Sequence, residues 1–295
     1  MITQGHSMKR GVAWLAAAGF CAVWAASALA AGMRVQPGGA LIQGLPVGHR
    51  SELPVPITIF NDDPEERTVQ VTAVRPSEVG AEAPRGYAEL PDTSWIAFSP
   101  QSLAIPPLSQ GQVKMFVTLP GDTALLNQHW SVSLAVRAVP GGKQQIGLAI
   151  YPRFEMETGA DRTAAPPLGP IAVSPSVVAF ERIQPGAAAR QATLRVWNNT
   201  DDWLKCRATV HGRPDGDGRP IVALSNGWSW LPDASWLCAD PESLDIAPKS
   251  SADVTVSVAV PDGNNYGGAW EAVLFVETEK DLEAFARLRI TTNSR

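Results

Sequence analysis

The chain has 295 residues, 18% of them charged, with 25 glycines, 25 prolines and a formal net charge of −5. That length suits two domains of ordinary size, each large enough to bury a core. The composition favours short strands and turns over long helices, and mild acidity without any Lys/Arg block speaks against a nucleic-acid partner.

The N-terminus reads as a processing segment. Met8-Lys9-Arg10 supplies a positive start, an uncharged apolar run follows to Ser27, and Ala28-Leu29-Ala30 puts small residues at the cleavage positions. Residues 1–30 are therefore expected to be a signal peptide, which places the mature protein in the periplasm or outside the cell. The alternative is an uncleaved anchor, since the apolar run is nearly long enough to span a bilayer. After cleavage no other stretch is long enough for an integral membrane span. Cleavage also removes Cys21 and leaves Cys206 and Cys238, and an even cysteine count in an oxidising compartment predicts one disulfide.

From residue 31 onward the sequence repeats itself. "VQPGG" at Val35 answers "VSPSV" at Val173, and "ITIFNDD" at Ile57 answers "LRVWNNT" at Leu194. "SWIAFSPQSLAIPPLSQ" at Ser94 answers "SWLCADPESLDIAPKSS" at Ser235, keeping Trp95/Trp236, Pro100/Pro241, Leu103/Leu244 and Ile105/Ile246 in step. "HWSVSLAV" at His129 answers "AWEAVLFV" at Ala269, and "IGLAI" at Ile146 answers "ARLRI" at Ala286. The matching order predicts duplication of a whole domain, residues 31–158 and 171–295, joined by a proline-rich linker at 159–170.

Each copy alternates apolar and polar residues, as at Ile57/Ile59, Val113/Met115/Val117 and Val254/Val256/Val258. Asn, Asp, Gly and Pro clusters separate these runs. Seven or so short strands in about 120 residues predict two tandem immunoglobulin-like Greek-key β-sandwiches, an all-β protein. Trp95 and Trp236 are expected in the core or at its rim. In the alignment of the copies Cys206 falls at Val69 and Cys238 at Ala97, both small apolar residues, consistent with a buried bridge in one copy and plain packing in the other.

No chemistry declares itself. His49, His129 and His211 stand alone and read as surface histidines. Neither a nucleophile elbow, a phosphate-binding loop nor a zinc motif is present, so no catalytic residues, no cofactor and no metal site are expected. Asp215 and Asp217 have only the opening spacing of a calcium loop and read as a turn. Asn198-Asn199-Thr200 is formally a glycosylation acceptor. The second copy is rich in tryptophan. Trp228 and Trp230 either form an exposed aromatic patch, able to bind protein or stack on sugar rings, or cover the core edge.

Taken together, "MRVQPGG", "ITIFNDD", "FSPQSLAIPP", the run from Val113 to Gly142 and the closing "QIGLAIYPRF" resemble the N-terminal domain of periplasmic pilus chaperones. That resemblance implies a non-enzymatic factor for assembling pilus or surface-structure subunits, which holds a secreted subunit by β-strand addition. It further implies that Ile146, Leu148 and Ile150 bind the subunit strand. Arg34, with Arg153, would hold a terminal carboxylate. The second copy resembles the first rather than the family's usual second domain. An envelope adhesion or scaffold protein and a carbohydrate-binding module, with a glycan as partner, are the alternatives.

Overall fold

The computed structural model of the chain describes residues 21–23, 28–30, 32–139, 147–164, 166–212, 222–262 and 267–293. Strand makes up 55% and helix 5%, so the protein is all-β, with the several sheets of immunoglobulin-like sandwiches. The helical residues are short 3-10 turns such as Pro76–Val79 and Thr123–Leu125.

The first sandwich is built mainly from β1 (Met33–Gln36), β2 (Gly39–Leu45), β3 (Ile57–Asn61), β4 (Arg67–Val74), β5 (Ile96–Ser99), β6 (Ser102–Ile105), β7 (Ser109–Thr118), β8 (His129–Ala138), β9 (Ala149–Ile150) and β10 (Arg153–Thr158). One sheet runs β2-β10-β8-β4-β6; the other joins β1, β3, β7 and β5. The second sandwich uses β11 (Ile171–Ser174), β12 (Val177–Ile183), β13 (Arg190–Asn198), β14 (Leu204–His211), β15 (Leu237–Asp240), β16 (Ser243–Ile246), β17 (Ser250–Val258), β18 (Gly268–Thr278) and β19 (Glu283–Thr292). Its sheets, β12-β19-β18-β14-β16 and β11-β13-β17-β15, repeat the same neighbours in the same order. In each copy the last strand pairs parallel with the second, Phe154 opposite Ala40 and Leu288 opposite Val178. Ahead of the first sandwich, Cys21–Val23 pairs with β2 and Ala28–Ala30 pairs with β1.

Period two explains the burial. Val113, Met115 and Val117 point into one core and Val254, Val256 and Val258 into the other, while their neighbours along the strand face outward. One cluster gathers side chains from Met33 to Met156 and a separate one gathers them from Ile171 to Ile290. Each fully buried side chain of this kind contributes roughly 1.5–3 kcal/mol.

The repeated motif is a set of local devices. Trp236 is buried in the second core; Trp95 is half-buried against the first, its ring 5.6 Å from that of Trp130. Asp92 and Asp233 each accept a hydrogen bond from the backbone N–H two residues on, starting the 3-10 turn before the tryptophan. Ser99-Pro100 and Asp240-Pro241 are both cis, as are Gln36-Pro37 and Ser174-Pro175. Asn61 donates its amide to the carbonyls of Glu65, Ile105 and Pro106; Asn198 does the same for Asp202, Ile246 and Ala247. Asn198 is therefore fully buried and its nitrogen committed, so the glycosylation reading of this turn does not hold.

The disulfide expected between Cys206 and Cys238 is absent, and both thiols are free. Cys206 points into the core from β14. Cys238 lies between the buried Leu237 and Ala239 on β15 and so faces solvent. Its counterpart Ala97 is exposed for the same reason, whereas Val69, the counterpart of Cys206, is buried. Size and polarity matched the pair; the pleat separates them by a whole sheet.

The linker is tied down by two asparagines. Asn127, at φ 58°, donates its amide to the Asp161 carbonyl, and its side-chain oxygen accepts from the Asp161 and Ser176 backbones. Asn199 donates to the carbonyls of Pro167 and Gly169.

Candidate functional site at the domain interface

On β18 and β19 the core takes Ala272, Leu274, Val276, Ala286, Leu288 and Ile290. The alternate residues Glu271, Val273, Phe275, Phe285 and Arg287 face outward, yet all are buried. They are buried because this outer face packs on the first sandwich. Phe275, Phe285 and Val273 join Tyr87 and Val222 in a third apolar cluster, with Trp230 packed against it.

Arg287 sits at the centre of the contact. Its Nη2 is 2.6 Å and its Nε 2.8 Å from the two oxygens of Glu157, which projects from β10. Its Nη1 donates to Glu271 at 2.6 Å and to the Ala223 carbonyl at 2.9 Å. Glu157 also accepts from the Tyr87 hydroxyl at 2.6 Å and from Gln43 at 2.7 Å. Glu271 accepts from the Ser225 backbone and hydroxyl, and Arg289 bridges Glu271 to Gln43. Nearer the rim, Arg85 pairs with Glu277 and Glu283, and the Gly86 N–H donates to Glu283. Gly86 has φ +75°, and a Cβ there would lie 2.6 Å from the Phe285 ring, so the close approach requires glycine.

The electrostatics follow from this packing. Burial alone would raise the Glu157 carboxyl, but the Arg287 guanidinium reverses the effect and holds it at about 2. Burial raises the Tyr87 hydroxyl well above its ordinary value. Burial lowers His129 to about 4, so the ring is neutral at pH 7. His129 stacks on Phe285 with centroids 3.8 Å apart, and its Nε2 has no hydrogen-bond partner. The sequence reading of His129 as a surface residue is thereby corrected: its side of β8 is covered by the second sandwich. A buried ion cluster adds little net stability, because desolvation offsets attraction, but removing one partner leaves a buried charge unmet and is costly.

Beside this contact lies a cleft of about 410 Å³ between the sandwiches, lined by the Glu82–Ala88 segment, Asn127–His129, Leu168–Val173 and Asp281–Phe285. No group of His, Cys, Asp and Glu suited to a metal ion occurs among the described residues.

The residues named from sequence lie elsewhere. Ile146 falls outside the described residues, as do Asp215 and Asp217. Ile150 is buried in the first core and Leu148 is packed against it. Ala149 and Ile150 pair with Arg137 and Val136 of β8. Arg34 is held by Asp62 through two hydrogen bonds of 2.6 and 2.8 Å and lies over the Phe60 ring. Arg153 is half-exposed, 4.0 Å from Glu155, in the opposite sheet from Arg34. Trp228 is half-buried beneath the Arg289 guanidinium, and Trp230 is half-buried against the interface cluster, so the two do not form an open aromatic patch. Of the interface residues, Glu271 did carry a signal, a charge inside the apolar run Ala269–Val276, where Glu is rarely buried unless paired; Glu157 beside Arg153 and Glu155, and Arg287 beside Arg289, do not stand out from their strands.

The sequence matches no family model and no curated protein. Solved structures are similar over most of its length at low identity. A protein of unknown function from Porphyromonas gingivalis W83 is 12% identical, over 88% of this chain and 99% of that one, with a TM-score of 0.35. The periplasmic chaperone SfaE is 12% identical, over 89% and 100%, with a TM-score of 0.30. The class 5 fimbriae chaperone CfaA is 8% identical, over 87% and 98%, with a TM-score of 0.32. Among the described residues no helix is long and apolar enough to cross a membrane.

Proposed function

We propose that the protein is a non-enzymatic, extracytoplasmic chaperone-like factor that holds a secreted subunit by strand addition at β9. One observation carries the reading. Ala149–Ile150 has a ladder only to β8 among the described residues, whereas the following β10 is paired on both sides, by β8 and β2. An unpaired strand edge is a template for another strand. Ala28–Ala30 lies beside β9 but makes its ladder to β1, so removal of residues 1–30 would leave the edge clear. Ile146, Leu148 and Ile150 are proposed to form the edge that the subunit strand joins, with Ile150 keeping its place in the first core, and Arg153 to lie close to the end of that strand.

The test is a photo-crosslinking residue at Tyr151, which is 40% exposed beside this edge. Crosslinking in the envelope to one small secreted protein, which is degraded when the chain is deleted, is the expected result. A subunit pool unaffected by deletion, with no crosslink, would overturn the proposal. A second reading, a rigid envelope scaffold, is favoured by the use of Ile150 in the protein's own core and by the buried ion cluster fixing the two sandwiches. It predicts no crosslink at Tyr151 and a partner bound elsewhere.

A further inference from the structure

We propose that the seam between the sandwiches is an acid-released latch with His129 as its trigger, parting at low pH while each sandwich keeps its own core. The proposal is independent of strand addition. His129 belongs to the first sandwich and stacks on Phe285 of the second, with centroids 3.8 Å apart and planes 5° from parallel, so the ring is itself part of the docking contact. Tyr87 meets the same ring edge-on at 5.8 Å. The ring's Nε2 is buried and has no hydrogen-bond partner. Each sandwich gathers its own cluster of buried side chains, so parting the seam leaves both cores closed.

A neutral imidazole is tolerated in this place and an imidazolium is not. The charged ring carries an N–H on both nitrogens, whichever of them took the proton. The N–H at Nε2 would lie buried without an acceptor, which is costly. The groups facing the ring give no relief. From β10, Glu157 is an anion, but its two oxygens already accept from Arg287, Tyr87 and Gln43. From β19, Arg287 is a fixed cation 5.6 Å over the Phe285 ring, so a charged His129 would put two cations on one aromatic ring. Tyr87 keeps its proton and spends it on Glu157. Arg85, Glu277 and Glu283 pair with one another nearer the rim. Parting the seam puts the ring in water, where its charge is solvated. The docked ring takes its proton only near pH 4 and a free one near 6.5, so docking is at full strength above pH 6.5 and weakens as pH falls toward 4. From these two values the parted fraction rises roughly thirtyfold between pH 7.5 and pH 5. Glu157 adds little over that range, since its own change falls between 4.5 and about 2.

The experiment is thiol trapping in the full chain carrying Val273→Cys. Val273 is 1% exposed within the apolar cluster of the seam, and the native Cys206, buried in the second core, is the internal reference for unfolding. The reagent is 4,4′-dithiodipyridine, which stays active in acid; labelling at each position is read by peptide mass spectrometry and corrected with a model thiol at each pH. The rate at position 273 is expected to rise roughly thirtyfold from pH 7.5 to pH 5, and to exceed that at Cys206 by at least about tenfold at both. Adding His129→Phe, which keeps an aromatic ring on Phe285 without a titrating nitrogen, should cut the rise to below about threefold. If that variant does not fold, nitrogen NMR of the His129 ring in the unmodified protein decides, with a midpoint below about 5 expected. A rise below about threefold at position 273, labelling there no faster than at Cys206, the same rise with His129→Phe, or a ring midpoint near 6.5 overturns the proposal.

Discussion

Arg287→Met tests whether the buried ion cluster fixes the two sandwiches. The substitution keeps most of the volume but removes every donor to Glu157, Glu271 and the Ala223 carbonyl. Glu157 would keep only Tyr87 and Gln43, and Glu271 only Ser225 and Arg289. Two buried carboxylates would then lack their main counter-charge. Breaking a buried pair in this way costs about 3–5 kcal/mol. At roughly 2–4 °C per kcal/mol for a domain of 150–250 residues, the melting temperature should fall by about 6–20 °C. Scanning calorimetry should show the wild type melting as one coupled unit and the variant as two separated transitions. The triple variant Arg287→Met, Glu157→Gln, Glu271→Gln removes the charges together and should recover most of the loss. A single-variant shift below about 1 kcal/mol, within the range of an ordinary exposed ion pair, would refute the argument.

Two further outcomes follow from the same chemistry. His129 has a folded-state value of about 4 against an ordinary 6.5, so its contribution is complete above pH 6.5 and is lost as pH falls toward 4; Glu157, at about 2 against 4.5, gives a second loss between pH 4.5 and 2. Urea titrations across this range should show both declines, and His129→Phe should abolish only the upper one. Cys238 is exposed, while burial raises the Cys206 thiol to about 11, so iodoacetamide should label Cys238 in the native protein and reach Cys206 only on unfolding. Mass spectrometry of unreduced protein showing the pair linked would contradict this.

Much of the architecture was written in alternation. Val113/Met115/Val117 and Val254/Val256/Val258 fixed strand faces because a pleat gives every second residue to the core. The turns at Asn61 and Asn198 were legible because Asn binds nearby backbone, although their reach to the carbonyls of Ile105 and Ile246 was not. Composition failed where orientation decided: Cys238 looked like a partner for Cys206 until the register of β15 put it on the outer face. The interface was hidden for a related reason. Glu271 and Arg287 sit on the non-core side of their strands, and a single sequence does not say that this side is covered by a second sandwich. The same covering makes His129 a buried, neutral ring and draws Trp228 and Trp230 out of solvent.

The order in which the chain is made gives the Arg287 cluster one more consequence. Gly39 pairs with Arg153, so the first sandwich closes only when its final strand is available, and Glu157, met only by Tyr87 and Gln43, then stands hydrated without its counter-charge. Its partner Arg287 lies on the last strand of the second sandwich, which forms only once Val177 and Arg287 have paired in their sheet. Domains fold as units in order of synthesis, and distant pairings form slowly. Docking thus follows the closure of both sandwiches, and until then the nascent protein carries a wet carboxylate where the finished one has a dry seam.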